Sequence, residues 1–137
     1  MGALEIDTNK LAKVLASASD VLFPATLGKK QVRVNSAGAC GDTPLHVMAW
    51  RKDTEAVRIL IDAGANVNAV GEMGETALHI AVRNGSAGVV ELLLKANALT
   101  SIRSEFGQTS AEFAAEKGGD IAAVFKRCKR LSKNLLL

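Results

Sequence analysis

The sequence predicts an all-α fold, a short solenoid of stacked helix-turn-helix repeats. Three observations predict it. Gly41-Asp42-Thr43-Pro44-Leu45-His46 recurs as Gly74-Glu75-Thr76-Ala77-Leu78-His79, and Thr43, Thr76 and Thr109 follow one another at intervals of 33 residues. The same offset aligns Val34-Asn35 with Val67-Asn68, Ala49 with Val82 and Ala115, and Leu60 with Leu93, without a gap. Finally, a chain of 137 residues with no Tyr, one Trp and four Phe must build its core from Ala, Leu and Val. That suits packed helices better than strands, which favour aromatic and β-branched residues.

At the N-terminal end, Asp7-Thr8 can cap a helix carrying Leu11, Ala12, Leu15 and Ala16. Subtracting 33 from Ala49 gives Ala16, so residues 1–31 read as a worn repeat whose second helix is broken at Pro24. The first full repeat, 32–64, opens its helix 43–50 with Thr43 as N-cap and Pro44 at the first helical position, where proline is tolerated. Its second helix runs through Ala56, Val57, Ile59, Leu60 and Ile61, and Ala63-Gly64-Ala65 supplies a left-handed stop. A Val-Asn step and a Gly-containing turn then suit a projecting β-hairpin finger before the next Thr. The second repeat, 65–97, copies this plan with helix 76–83, a break at Gly85, and Val89-Val90-Leu92-Leu93-Leu94. The third, 98–137, has helix 109–116 and a break at Gly118-Gly119, but reads Thr109-Ser110-Ala111-Glu112 and so loses the Pro, Leu and His. It continues as Ile121, Val124, Phe125, Cys128 and Leu131 at helical spacing, with Lys126, Arg127, Lys129 and Arg130 off the stripe. One apolar face and one wet face are what a terminal repeat requires. No such helix pair buries its apolar face alone, so the units stack into a single domain over 1–137.

Through Thr-Pro-Leu-His at 43–46, Ala-Gly-Ala-Asn-Val-Asn-Ala at 63–69 and the period of 33, the chain resembles the ankyrin-repeat family over roughly residues 32–125. The resemblance implies an ankyrin solenoid with degenerate N- and C-terminal caps. It also implies that His46 and His79 tie neighbouring repeats together by hydrogen bonds to backbone. As equivalent positions one repeat apart they do not converge on one ion, and a metal site needs three or four ligands.

Other chemistry finds little support. Gly28-Lys29-Lys30 would need Gly at position 23 and Ser or Thr at position 30 to be a phosphate-binding loop, and the chain has Phe23 and Lys30 there. GxSxG, HExxH and a strand–glycine–helix dinucleotide unit are absent, so no catalytic residue, cofactor or small-molecule substrate is expected. Cys40 and Cys128 are the only cysteines and form no CxxC pair. Charges within the first twenty residues leave no apolar run for a secretory signal, Ile6 spoils a myristoylation motif after Met1-Gly2, and no stretch matches a membrane span. The expectation is a cytoplasmic protein.

The net charge of +3 divides into +2 over residues 1–33, −4 over 34–120 and +5 over 121–137. An acidic centre is unsuited to nucleic acid, which needs a basic footprint. The basic run from Lys126 to Lys133 has three readings: helix-end charges that keep the cap wet, a nucleic-acid contact, or a contact with anionic membrane.

Ankyrin proteins bind partners along the concave surface formed by fingers and first helices. Carrying the family's variable positions onto this chain gives Ala39, Cys40 and Asp42 in the first finger. The second finger contributes Val70, Glu72, Met73 and Glu75, and the third Arg103, Glu105, Phe106 and Gln108. Trp50 and Arg51, Arg83 and Asn84, and Glu116 and Lys117 come from the first helices. Trp50, Met73 and Phe106 are large apolar residues of the kind that anchor interfaces, although Trp50 could instead pack against the next finger. Asp42, Glu72, Glu75 and Glu105 would form an acidic fringe that steers a basic partner. The implied function is non-catalytic protein binding. From His46-Val47-Met48-Ala49-Trp50-Arg51 through Ala69-Val70-Gly71-Glu72-Met73-Gly74-Glu75-Thr76, the chain is similar to small bacterial ankyrin proteins that serve as immunity proteins against toxins. The resemblance then implies a toxin as partner, with a basic toxin domain suited to the acidic fingers. The competing reading is a scaffold, adaptor or effector docking to a regulatory or host protein, and a third is nucleic-acid binding through the basic end.

Overall fold

In the computed structural model, which describes residues 8–23 and 32–135, the helices start where the threonines place them. α1 spans Thr8–Leu22, α2 Pro44–Trp50, α3 Thr54–Asp62, α4 Ala77–Arg83, α5 Ala87–Lys95, α6 Ser110–Lys117 and α7 Gly119–Leu135. The N-caps Thr43, Thr76 and Thr109 all have extended backbone, the conformation in which a side-chain oxygen can reach back over the first turn. In α4, Thr76 Oγ1 accepts from the His79 amide while the Thr76 amide donates to His79 Nδ1 at 3.1 Å. Histidine thus does the work of the Glu or Gln usually found in a reciprocal capping box.

First helices stack on first helices, α2 on α4 and α4 on α6, while α3 packs on α5 and α5 on α7. α1 closes the front of the stack against both α2 and α3. The buried positions repeat with the period: Leu45, Met48 and Ala49 in α2 become Leu78, Ala81 and Val82 in α4, and Leu60 becomes Leu93. Each fully buried leucine is worth about 1.5–3 kcal/mol of transfer free energy, so this layer supplies much of the drive to fold.

The repeat plan is departed from in three places. The fingers are tight turns rather than β-hairpins: among the described residues there is only an isolated bridge between Arg103 and Thr109. One cross-bond closes each, from Gly38 to Asp42, Gly71 to Glu75 and Ser104 to Gln108, at 2.8–2.9 Å. Such short arms leave no room for a ladder, so the polar groups turn to the neighbouring repeat. Asn35 Oδ1 accepts from the Asn66 amide, and Asn68 Oδ1 from the Leu99 amide, both at 2.8 Å. In α1 the buried residues are Ala18, Ser19 and Leu22, and Ala16 is exposed, so Ala16 does not reproduce the buried Ala49. One long helix lies there against two neighbours, and the expected break at Pro24 falls outside the described residues. The period of 33 also ends at α6. The starts of α3 and α5 are 33 residues apart, but α7 begins 32 after α5 because Gly118, at φ +66, makes the link alone. Ile121 and Val124 are consequently the buried residues of α7, as their stripe predicts, with Phe125 and Cys128 packed beside them; Leu131 lies beyond the described side chains.

Glu91 on α5 pins the last helix by an ion pair to Arg127 and pairs with Lys95 on its own helix, each at 3.2 Å. The Lys95 hydrogen bond first, and the Arg127 charge second, hold its carboxyl below the usual carboxylate range. No helix among the described residues is long and apolar enough to cross a membrane.

Candidate partner-binding face

The residues implied by the family pattern divide into two groups, one turned inward and one outward. Asp42 Oδ1 accepts the Glu72 amide at 2.9 Å and so locks the first finger to the second. Only glycine fits at 71 beside it, since a Cβ there would fall 2.0 Å from that oxygen. Glu75 is a correction to the acidic fringe: it is buried and paired with the Arg83 guanidinium. Gln108 makes the equivalent reach in the next repeat, its Nε2 donating to Glu116 at 2.6 Å. Arg103 is held within its own repeat, by the Gly107 carbonyl of its finger at 2.7 Å and by Glu112 on α6 at 2.9 Å.

Arg51, Asn84 and Lys117 occupy equivalent positions and share one task. Arg51 donates to Ser17, Asn84 Nδ2 donates to the Trp50 carbonyl at 3.1 Å, and Lys117 Nζ donates to the Arg83 carbonyl. Asn84 and Lys117 each cover a carbonyl at the C-terminal end of the preceding first helix, where no intrahelical donor remains, while Arg51 reaches Ser17 within α1. Sequence spacing marks these three as equivalent, but only contact across the stack reveals them as staples.

What remains outward is compact in chemistry. Trp50 is 58% exposed, Val70 51%, Met73 47% and Phe106 68%, with the exposed Glu72 and Glu105 next in sequence to Met73 and Phe106. The equivalents of Trp50 are Arg83 and Glu116, the residues that bond to the finger bases in repeats two and three. Trp50 therefore stands on the finger side of α2, at a position where its counterparts are occupied with their own fingers. Met73 and Phe106 are equivalent to each other and to the exposed Cys40, so the fingertips form a row of soft side chains. Exposed aromatic and methionine side chains in a cluster gain nothing for folding and are typical of interface anchors.

His46 and His79 sit beneath this face, fully enclosed. His46 Nδ1 accepts the Thr43 amide at 3.0 Å, which leaves Nε2 as the protonated nitrogen donating to the Glu75 carbonyl at 3.1 Å. His79 spans to the Gln108 carbonyl in the same way at 3.0 Å. Each ring thus hangs one finger on the helix behind it. Burial holds the His46 ring below the usual histidine range, with Asp42 opposing that shift. Among the described residues no three His, Cys, Asp or Glu side chains gather in a way that could hold a metal ion.

A second concavity, about 700 Å³, escaped sequence reading. It lies between the end of α5, the 97–101 loop and the outer sides of α6 and α7, lined by Leu94, Leu99, Ala111, Ala115 and Phe125. Ala111 and Ala115 stand where α4 has the buried Leu78 and Val82. That change from large to small residues on the last helix pair was its available signal.

A family model described as ankyrin repeats, in 3 copies, matches residues 7–104. The match reaches into the α1 region, further forward than the motifs at 43–46 and 63–69 alone. No curated protein matches the chain.

Proposed function

The chain belongs to the ankyrin-repeat family, whose repeats are generally protein–protein interaction modules, and from that premise we propose that it holds a protein partner on its finger face without performing chemistry on it. The observation that supports this most is the outward group of Trp50, Val70, Met73 and Phe106, exposed on elements whose polar residues are already committed to one another. A surface whose scaffold is satisfied internally loses little entropy on docking.

The finer reading is that the chain is an immunity protein that neutralises a toxin. An inhibitor needs a single complementary face on a small rigid body, and the exposed Glu72 and Glu105 suit a basic toxin domain. Affinity capture from the native organism identifies the partner, and titration of that partner against variants tests the face. Trp50→Ala is expected to weaken binding by about 2 kcal/mol or more while leaving the circular dichroism spectrum unchanged, because the side chain is an exposed anchor. Normal binding by the Trp50, Val70 and Phe106 variants together would place the working surface elsewhere. Capture of a regulatory or host protein with no toxic activity would overturn immunity and leave protein binding standing.

A further inference from the structure

The fingertips of repeats two and three differ from that of repeat one in a way that bears on what they grip. Successive positions read Ala39-Cys40, Glu72-Met73 and Glu105-Phe106, all at one-repeat intervals. Only the last two place an acid beside a large apolar side chain, and both members of each pair are exposed.

These two fingertips are also joined. The Glu105 amide donates to the Met73 carbonyl at 2.9 Å. Gly74 permits that approach: its φ is +70, and a Cβ there would lie 2.8 Å from the Glu105 nitrogen. Met73 itself is held at φ +60, a left-handed conformation that a long unbranched side chain rarely takes. Finger one has no such bond to finger two, being attached through the Asp42 side chain instead. The backbone segments that carry Met73 and Phe106 are therefore joined before any partner arrives.

We infer that the second and third fingertips form a preorganised pair of prongs for a cationic segment of a partner protein, one carrying apolar residues with Lys or Arg between them. The inference rests on the protein-binding reading and narrows it. Packed helices lie about 8–10 Å apart, which sets the spacing of the prongs. Apolar residues about three apart in a polyproline II segment, or about seven apart in a helix, lie on one face and match that spacing. Glu72 and Glu105 supply the complementary charge, and the carboxylates that would otherwise surround them, Asp42 and Glu75, are already paired within the scaffold. The acidic character of the grip is concentrated at the tips.

The test uses the full chain and two synthetic amphipathic peptides of equal length, one of Lys and Leu, one of Glu and Leu, titrated at low salt. The Lys/Leu peptide should bind and the Glu/Leu peptide should not. A Glu72→Gln/Glu105→Gln variant should weaken the Lys/Leu peptide by about tenfold, and Phe106→Ala should weaken it as well. A Glu55→Gln/Asp62→Asn variant, altered on α3 outside the fingers, should leave it within about twofold. The inference is overturned if the Lys/Leu peptide fails to bind, if both peptides bind alike, or if the α3 variant loses as much as the fingertip variant. A captured natural partner separates the two readings: lost by Trp50→Ala but unmoved by Glu72→Gln/Glu105→Gln, it would sink the cationic segment and preserve protein binding.

Discussion

The buried His46 makes a bond that a charge would break. His46 Nδ1 accepts from the Thr43 amide, so a proton placed there would face a donor in a site from which water is excluded. The folded state accordingly refuses the proton down to a lower pH than the unfolded chain, whose histidine titrates near about 6.5. Below that value the unfolded state binds more protons, so stability must fall as pH falls, and the loss stops only below the folded pKa. Thermal unfolding between about pH 7.5 and 5.5 should show this decline, and His46→Gln should shrink its slope, since Gln can keep the cap without titrating. An unchanged slope would remove His46 as its source. Glu75 belongs at the same scale. Glu75→Gln keeps the shape but loses the charge-assisted bond to Arg83, and should cost about 1–3 kcal/mol in urea unfolding. Had Glu75 been a rim charge, the change would be close to neutral for stability and visible only in association rates.

At the scale of elements, stability comes from one helix pair closing over the next. Leu93 on α5 is completely buried in the core cluster, with α7 packed over its helix. Leu93→Ala should cost about 2–5 kcal/mol, because flanking repeats pinned by their own bonds cannot collapse into the gap. A loss in the surface range, below about 0.5 kcal/mol, would contradict the observed packing. The helices, their threonine caps and the equivalence of Leu60 with Leu93 were legible in the sequence because all depend on local spacing. The fingers were less so: Gly, Asn and Asp mark a turn, but whether its arms pair with each other or with the next repeat depends on what lies beside them. The site divides along the same line. Exposure of Trp50, Met73 and Phe106 was anticipated from the variable positions that the family resemblance implies. The inward roles of Glu75, Arg83, Arg51 and Asn84 were not, because each reaches a residue eight or thirty-four positions away whose nearness follows from the stack.

At the largest scale the described residues form a short stack, whose outer units carry more responsibility than those of a long array. α7 covers both α5 and α6 and is anchored by Ile121, Val124 and the Arg127–Glu91 pair. Truncation after Lys117 should uncover the apolar faces of both helices, and with so few repeats to share the loss, the cooperative thermal transition should vanish. Retention of a sharp transition would mean that the first units fold without their cap. The sequence by itself determined the repeat, the order and type of the helices and the identity of the core, because each follows from periodicity and local capping. Only the tertiary structure decided that Glu75 is interior, that the period loses a residue before α7, that the fingers lean on one another rather than forming ladders, and which polar residues remain outward. Those outcomes depend on the partner each side chain meets across the stack. A hydrogen bond or ion pair is made only when its geometry closes within about 3 Å, a condition that spacing along a chain does not specify.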